Sequence, residues 1–272
     1  PGAAPAAGSA AAAGPAGTAA LKQSVCKWPF REMSVDELAA AARDVGLVSI
    51  ELIGPNDWPI VQEYGLTCAV AGAPGRAGNM TRGFNRLEDH EWLLPAYETI
   101  LQRAADAGVP SVLCFSGNRG GDLSDADGLE NCARGLSQLT PLAERVGVTL
   151  VIELLNSKID HPDYQCDSTP WGVALVEKVG SQRLKLLYDI YHMQIMEGDV
   201  IRTIRDNHQY IAHYHTAGVP GRHELDESQE LFYPAIMRAI KETGYQGYIG
   251  QEFIPTGDPI ASLAEAVRVC NV

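Results

Sequence analysis

The segment VTLVIELL, residues 148–155, is aliphatic apart from Thr149 and one glutamate, Glu153. A strand with one wet face would alternate polar and apolar residues. A continuous apolar run instead marks a parallel strand covered on both faces. The same form recurs at 184–190 (LKLLYDI), 211–217 (IAHYHTA) and 247–254 (GYIGQEFI). On the N-terminal side, strand-like runs lie at 21–26 (LKQSVC), 47–53 (LVSIELI), 67–72 (TCAVAG) and 111–116 (SVLCFS). Helical patterns separate them. Ser34-Val35-Asp36-Glu37 forms a capping box that opens a helix. Leu93, Tyr97, Ile100, Leu101 and Ala104 recur at helical spacing. Further amphipathic stretches cover 125–146, 168–179, 198–207, 233–243 and 259–269, and several patterns end on a glycine such as Gly108, Gly147 or Gly180.

About eight strand–helix units in roughly 250 residues predict a single-domain (β/α)8 barrel over residues 21–272. The rival is an open doubly wound sheet, which would carry a glycine-rich phosphate turn after its first strand. That place reads CKWPFREM, and the glycine-rich GNRGGD at 117–122 does not match GxGxxG. Residues 1–20 are almost only Ala, Gly and Pro and read as a disordered tail or linker. The tail is not itself an export signal, because it lacks a basic start and a long apolar stretch. A cytoplasmic location is the default expectation, with an exported form if the tail is what remains of a removed signal.

The formal charge is −13, from 21 basic and 34 acidic residues. That balance argues against nucleic acid or anionic lipid as partners. No run of eighteen apolar residues appears, so no membrane span is expected. A homo-oligomer is compatible with everything so far. The six cysteines at 26, 68, 114, 132, 166 and 270 form no CxxC pair and read as buried small hydrophobes.

In a barrel the active site lies where the strands end. The second strand ends near Glu51, and the fifth to eighth carry Glu153, Asp189, His215 and Glu252, spaced 36, 26 and 37 residues apart. One such acid is ordinarily a helix cap or a salt-bridge partner, and His213 and His215 also read as hydrogen-bonded histidines of a buried strand. Three carboxylates inside apolar runs and converging on one rim are another matter, since each is costly to bury unpaired. A divalent cation resolves their repulsion, and Glu, Asp, His and Glu form a suitable shell for Mn2+, Mg2+ or Co2+. His215 is the expected ligand and His213 lies deeper, both on one face. His192 and Arg222 are expected on substrate oxygens. For each, a surface role is the alternative, Arg222 then pairing with Glu224. Glu51 and Asn156 complete the expected substrate-binding set. A cation held this way can chelate a hydroxy-carbonyl compound while a glutamate removes a carbon-bound proton. Returning the proton to the neighbouring carbon is aldose–ketose isomerisation. Returning it to the opposite face is epimerisation.

The segments VIELLNSKIDHPDY, LLYDIYHMQIMEGDVIRTIRDN, IAHYHTAGVPGRHE and GYQGYIGQEFIP resemble hydroxypyruvate isomerases of the xylose isomerase-like TIM-barrel superfamily. The resemblance runs from Leu21 to Pro255. It implies a divalent metal on Glu153, Asp189, His215 and Glu252, with Glu153 and Glu252 as the acid–base pair and His192 and Arg222 on the substrate. One departure stands out: the best-known hydroxypyruvate isomerases have glutamine where this chain has His215, and ketose 3-epimerases have histidine there. The expected function is therefore isomerisation of hydroxypyruvate to tartronate semialdehyde. The alternatives are a ketose 3-epimerase acting on a sugar and a non-catalytic sugar-binding protein. A DNA-repair endonuclease of the same superfamily would need further histidines and a basic face, which this chain lacks.

Overall fold

The computed structural model describes residues 20–75 and 80–272. Eight parallel strands form one sheet: β1 Lys22–Cys26, β2 Ser49–Glu51, β3 Val70–Ala71, β4 Ser111–Cys114, β5 Thr149–Glu153, β6 Leu184–Asp189, β7 Ile211–Thr216 and β8 Tyr248–Gln251. Their order is β2-β1-β8-β7-β6-β5-β4-β3. The two outer members meet through parallel bridges at Ser49–Thr67 and Ile53–Ala71. Four backbone bonds close this seam: Ile50 N to Thr67 O, Thr67 N to Val48 O, Leu52 N to Val70 O and Gly72 N to Ile53 O, at 2.8–3.2 Å. The architecture is the (β/α)8 barrel expected from the strand count. Most of the expected tail, residues 1–19, lies outside the described residues.

The strands are shorter than the apolar runs that signal them, and β3 most of all. Its reduction has a local cause. Ala69 N donates to the Ser49 side chain at 2.8 Å, so a hydroxyl replaces a ladder carbonyl there. The helices follow the sequence closely. α1 (Val35–Asp44) starts at Ser34, which accepts from Glu37 N while Glu37 accepts from Ser34 N. α2 is Trp58–Glu63, α3 His90–Ala107, α4 Asp125–Val146 and α5 Thr169–Val179. Gly108, Gly147 and Gly180 end α3, α4 and α5 in the left-handed conformation that only glycine adopts freely. α6 (Ile190–Met196), α7 (Val200–Asn207), α8 (Tyr233–Glu242) and α9 (Pro259–Cys270) complete the ring. Among the described residues no helix is long and apolar enough to cross a membrane. The core is continuous from the strands into the inner helix faces and includes five of the cysteines; all six are buried, Cys26 lying beside Glu51, and none is in a disulfide.

Candidate active site

Glu153 and Asp189 are the last residues of β5 and β6, His215 lies next to the end of β7, and Glu252 directly follows β8. Strand pairing sets their heights: Asp189 lies opposite His215, and Glu252 N donates to Thr216 O. Asp189 also caps α6. Its Oδ1 accepts from Tyr191 N at 2.8 Å and His192 N at 3.3 Å, which leaves Oδ2 for the barrel axis. The ligand-type atoms of Glu153, Asp189, His215 and Glu252 all fall within 4.8 Å of one another, and all four residues are buried.

His215 faces two ways. Its Nε2 lies 2.8 Å from Glu51 Oε1. Its Nδ1 lies 2.8 Å from Glu252 Oε2 and 3.3 Å from Glu153 Oε1. Yet Nδ1 is buried without a hydrogen bond among the described residues, because neither carboxylate is aligned with it. Three carboxylates and an imidazole nitrogen without a partner thus face a common point. Among the described residues, Arg222 is the only arginine or lysine paired with this group. Its Nη2 reaches Asp189 Oδ2 at 3.0 Å and Glu252 Oε2 at 2.5 Å. It is held over the rings of Trp28 and Tyr191, at 5.3 and 5.0 Å from their centroids. Its backbone is left-handed, with φ 60°. Strain of that kind persists only where the surroundings enforce it. One arginine balances one of three carboxylates, and the set of hard oxygen donors with one nitrogen fits a divalent cation.

Burial pushes the Asp189 carboxyl up to about 7 against the pull of Arg222. Burial raises Glu153 as well. Glu252 goes the other way: burial opposes ionisation, but His215 and Arg222 outweigh it and hold the carboxyl well below its ordinary range. Trp28 Nε1 donates to Glu252 Oε1 at 2.6 Å. Burial and Arg222 hold His192 well below its ordinary pKa, so its ring is neutral.

These groups open into a cavity of about 550 Å³. Glu153, His192, Arg222 and Glu252 line one side, with Asp160 and His161 near the mouth. Leu52, Gly72, Ala73, Leu113 and Phe115 add an apolar lining, and Trp28 lines the cavity beside Glu252 and Arg222.

Of the residues singled out from the sequence, the structure brings together Glu153, Asp189, His215, Glu252, His192 and Arg222. It places two elsewhere. Glu51 stands behind His215 and does not line the cavity. It accepts from His213 and His215, and Cys26 Sγ lies 3.5 Å from it. Asn156 is also buried outside the lining. Its Oδ1 accepts from Ile159 N and Asp160 N, which turns its Nδ2 to His192 Nδ1 at 2.7 Å. Asn156 therefore orients the imidazole. His192 Nε2 lies 2.6 Å from Arg222 Nη1, and both side chains line the cavity, where either can meet a substrate oxygen. Arg222 does not pair with Glu224, which instead holds Thr256, Gly257 and Ser262. Sequence reasoning missed Trp28, Asp160 and His161. Trp28 follows the first strand directly, which was a usable signal. Asp160 and His161 lie in a loop without periodicity.

Fold and site define a class of barrel enzyme whose strand ends gather acids, and comparison with known proteins agrees. Residues 10–271 match the model of the xylose isomerase-like TIM barrel family, and the chain belongs to that family. A human protein named "Putative hydroxypyruvate isomerase" is 30% identical over 257 residues, covering 92% of this chain and 85% of the relative. The 2-oxo-tetronate isomerase of Cupriavidus necator is 32% identical over 237 residues, covering 84% of this chain and 90% of its own. The relatives place the chain among the isomerases of the family. Among solved structures, one titled AP endonuclease family 2 from Brucella melitensis superposes with a TM-score of 0.79, covering 90% of this chain and 98% of the other. At 24% identity, that likeness concerns the fold alone.

Proposed function

We propose that the protein moves a proton between adjacent carbons of a small 2-oxo hydroxy acid, with hydroxypyruvate and tartronate semialdehyde as the substrate pair. The observation that carries this reading is the convergence of three buried carboxylates and the unpartnered His215 Nδ1 beside the Arg222 guanidinium. Glu153, Asp189, His215 and Glu252 would hold a divalent cation. When bound, the ion supplies a Lewis acid that offsets the negative charge developing on the substrate oxygens.

The protein groups perform the rest. Glu252, kept ionised by its neighbours and fixed by Trp28, takes the proton from C3 of hydroxypyruvate. Glu153 delivers a proton to C2, and the proton taken by Glu252 returns to Glu153 through solvent before the next turnover. The hydroxyl proton passes from O3 to O2, so the product is an isomer and no co-reactant is consumed. His192 donates to a substrate oxygen, and Arg222 offers a fork suited to the carboxylate. The names of both relatives denote 2-oxo acids, which supports a charged substrate over a neutral ketose. His215, the residue shared with ketose 3-epimerases, favours the second reading, epimerisation of a ketose.

The test is solvent exchange. Protein loaded with Mn2+ is incubated in D2O with hydroxypyruvate, 2-oxo-tetronate, fructose and tagatose, and carbon-bound deuterium is followed by NMR. The acids are expected to take up deuterium and the ketoses not. Arg222→Lys should lower the specificity constant for the acids by roughly ten- to a hundredfold, since a lysine lacks the fork. Exchange confined to ketoses would move the epimerase ahead, and binding without exchange would leave a sugar-binding protein.

A further inference from the structure

Behind the four converging residues lies a second cluster: Cys26, Glu51 and His213 around the far side of His215. We propose that Glu51 is a positioning residue that holds His215 with its Nε2–H turned away from the cavity and its Nδ1 bare toward the carboxylates. The proposal rests on the divalent-cation reading above.

Three observations carry it. First, one oxygen, Glu51 Oε1, lies 2.8 Å from the Nε2 of both His213 and His215. A carboxylate that accepts from the distal nitrogen of a ligating histidine fixes its tautomer and ring plane and makes its free nitrogen a better donor to the ion. Second, the other histidine nitrogen, Nδ1, points at the cluster, 2.8 Å from Glu252 Oε2 and 3.3 Å from Glu153 Oε1, without an aligned hydrogen bond to either. The tautomer that Glu51 selects is the one that leaves a lone pair on that atom. Third, the backbone is built around the pair. Gly250 lies opposite His215 in the β7–β8 ladder. A Cβ on Gly250 would lie 2.3 Å from Glu51 Oε1 and 2.8 Å from His215 Cδ2. No other residue leaves room for the contact.

The rival is a second ion on Cys26, Glu51, His213 and His215. Geometry speaks against it. Ligands about 2.0–2.1 Å from a tetrahedral ion stand roughly 3.3 Å apart. The oxygen and both nitrogens stand at 2.8 Å, which is hydrogen-bond spacing.

The experiment titrates Mn2+ alone into wild type, Glu51→Gln and Glu51→Asp by calorimetry, with circular dichroism melts to confirm folding. Wild type is expected to bind one ion per chain. E51Q should bind it roughly 10–100-fold more weakly, and E51D should recover part of the loss. In Mg2+-loaded, 15N-labelled protein, the His215 Nε2–H signal should be present in wild type and shifted or lost in E51Q. Unaltered affinity and an unaltered signal in folded E51Q would overturn the proposal while leaving the cation reading intact. So would two ions in wild type with only the second lost in E51Q. If E51Q does not fold, E51D decides on the same readouts, an unweakened affinity again overturning the proposal. Failure of wild type to bind Mn2+ would overturn the cation reading and this proposal with it.

Discussion

The two halves of the barrel do different work. Strands β5–β8 and the loop after β7 supply Glu153, Asp189, His215, Glu252 and Arg222, nearly all the charge of the site. Strands β1–β4 and the segments after them supply Trp28, Leu52, Gly72, Ala73, Leu113 and Phe115, nearly all the apolar wall. Their acid, Glu51, turns behind His215 and away from the cavity. Strand lengths follow this division only in part: β5, β6 and β7 have five, six and six residues and β2 and β3 three and two, but β1 has five and β8, which leads to Glu252, has four. Under the proposed function, one half would set the kind of reaction and the other the shape of the substrate.

Three substitutions test this division, from the largest expected effect to the smallest. In the charged half, Glu252→Gln keeps an oxygen for the Trp28 indole but cannot take a proton from carbon. Turnover is expected to fall by roughly 10²–10⁴-fold, with solvent deuterium exchange lost in parallel. Near-normal exchange would remove Glu252 from proton transfer. In the apolar half, Leu52→Ala enlarges the cavity without touching a charge. Its expected cost is about tenfold in kcat/KM, borne mainly by KM, and the ranking of short against long substrates should shift. A loss in kcat as large as that of E252Q would break the division between the halves.

The smallest effect belongs to Glu224, close to Arg222 but outside the cavity. Burial opposes its ionisation, and the donors of Thr256 and Ser262 outweigh this and lower its pKa. A depressed folded-state pKa contributes stability above the ordinary carboxylate value, and that stability is lost as pH falls through the folded value. Because the group is only half-buried, Glu224→Gln should cost only about 1 kcal/mol at pH 7. The difference in Tm between wild type and E224Q should close as pH drops below about 4. A gap that persisted at low pH would deny the carboxylate its role.

The sequence carried the fold through two signals, unbroken apolar runs and helix punctuation. α4 occupies 125–146, the span its pattern marks, because Ser124 caps one end and Gly147 the other. The brevity of β3 was hidden, since it depends on the Ser49 hydroxyl reaching across to Ala69. Within the site, Glu153, Asp189 and Glu252 were legible as acids inside apolar runs, where burial without a partner is costly. Glu51 carries the same mark, in LVSIELI, but the direction of its side chain depends on His213, His215 and the missing Cβ of Gly250, three residues far away in the chain. Asn156 was concealed similarly, its amide being turned by the backbone of Ile159 and Asp160. Residues on a strand announce their face by period. Residues that support others do not.

The four bonds joining β2 to β3 have a consequence for how the molecule breathes. A ladder so short protects its amides less than the long ladders on the other side, so hydrogen exchange at Ile50, Leu52, Thr67 and Gly72 should run ahead of the β5–β7 strands. Leu52 and Gly72 also face the cavity. A ligand pressed against that wall should therefore slow exchange at these four amides more than at those of β5–β7.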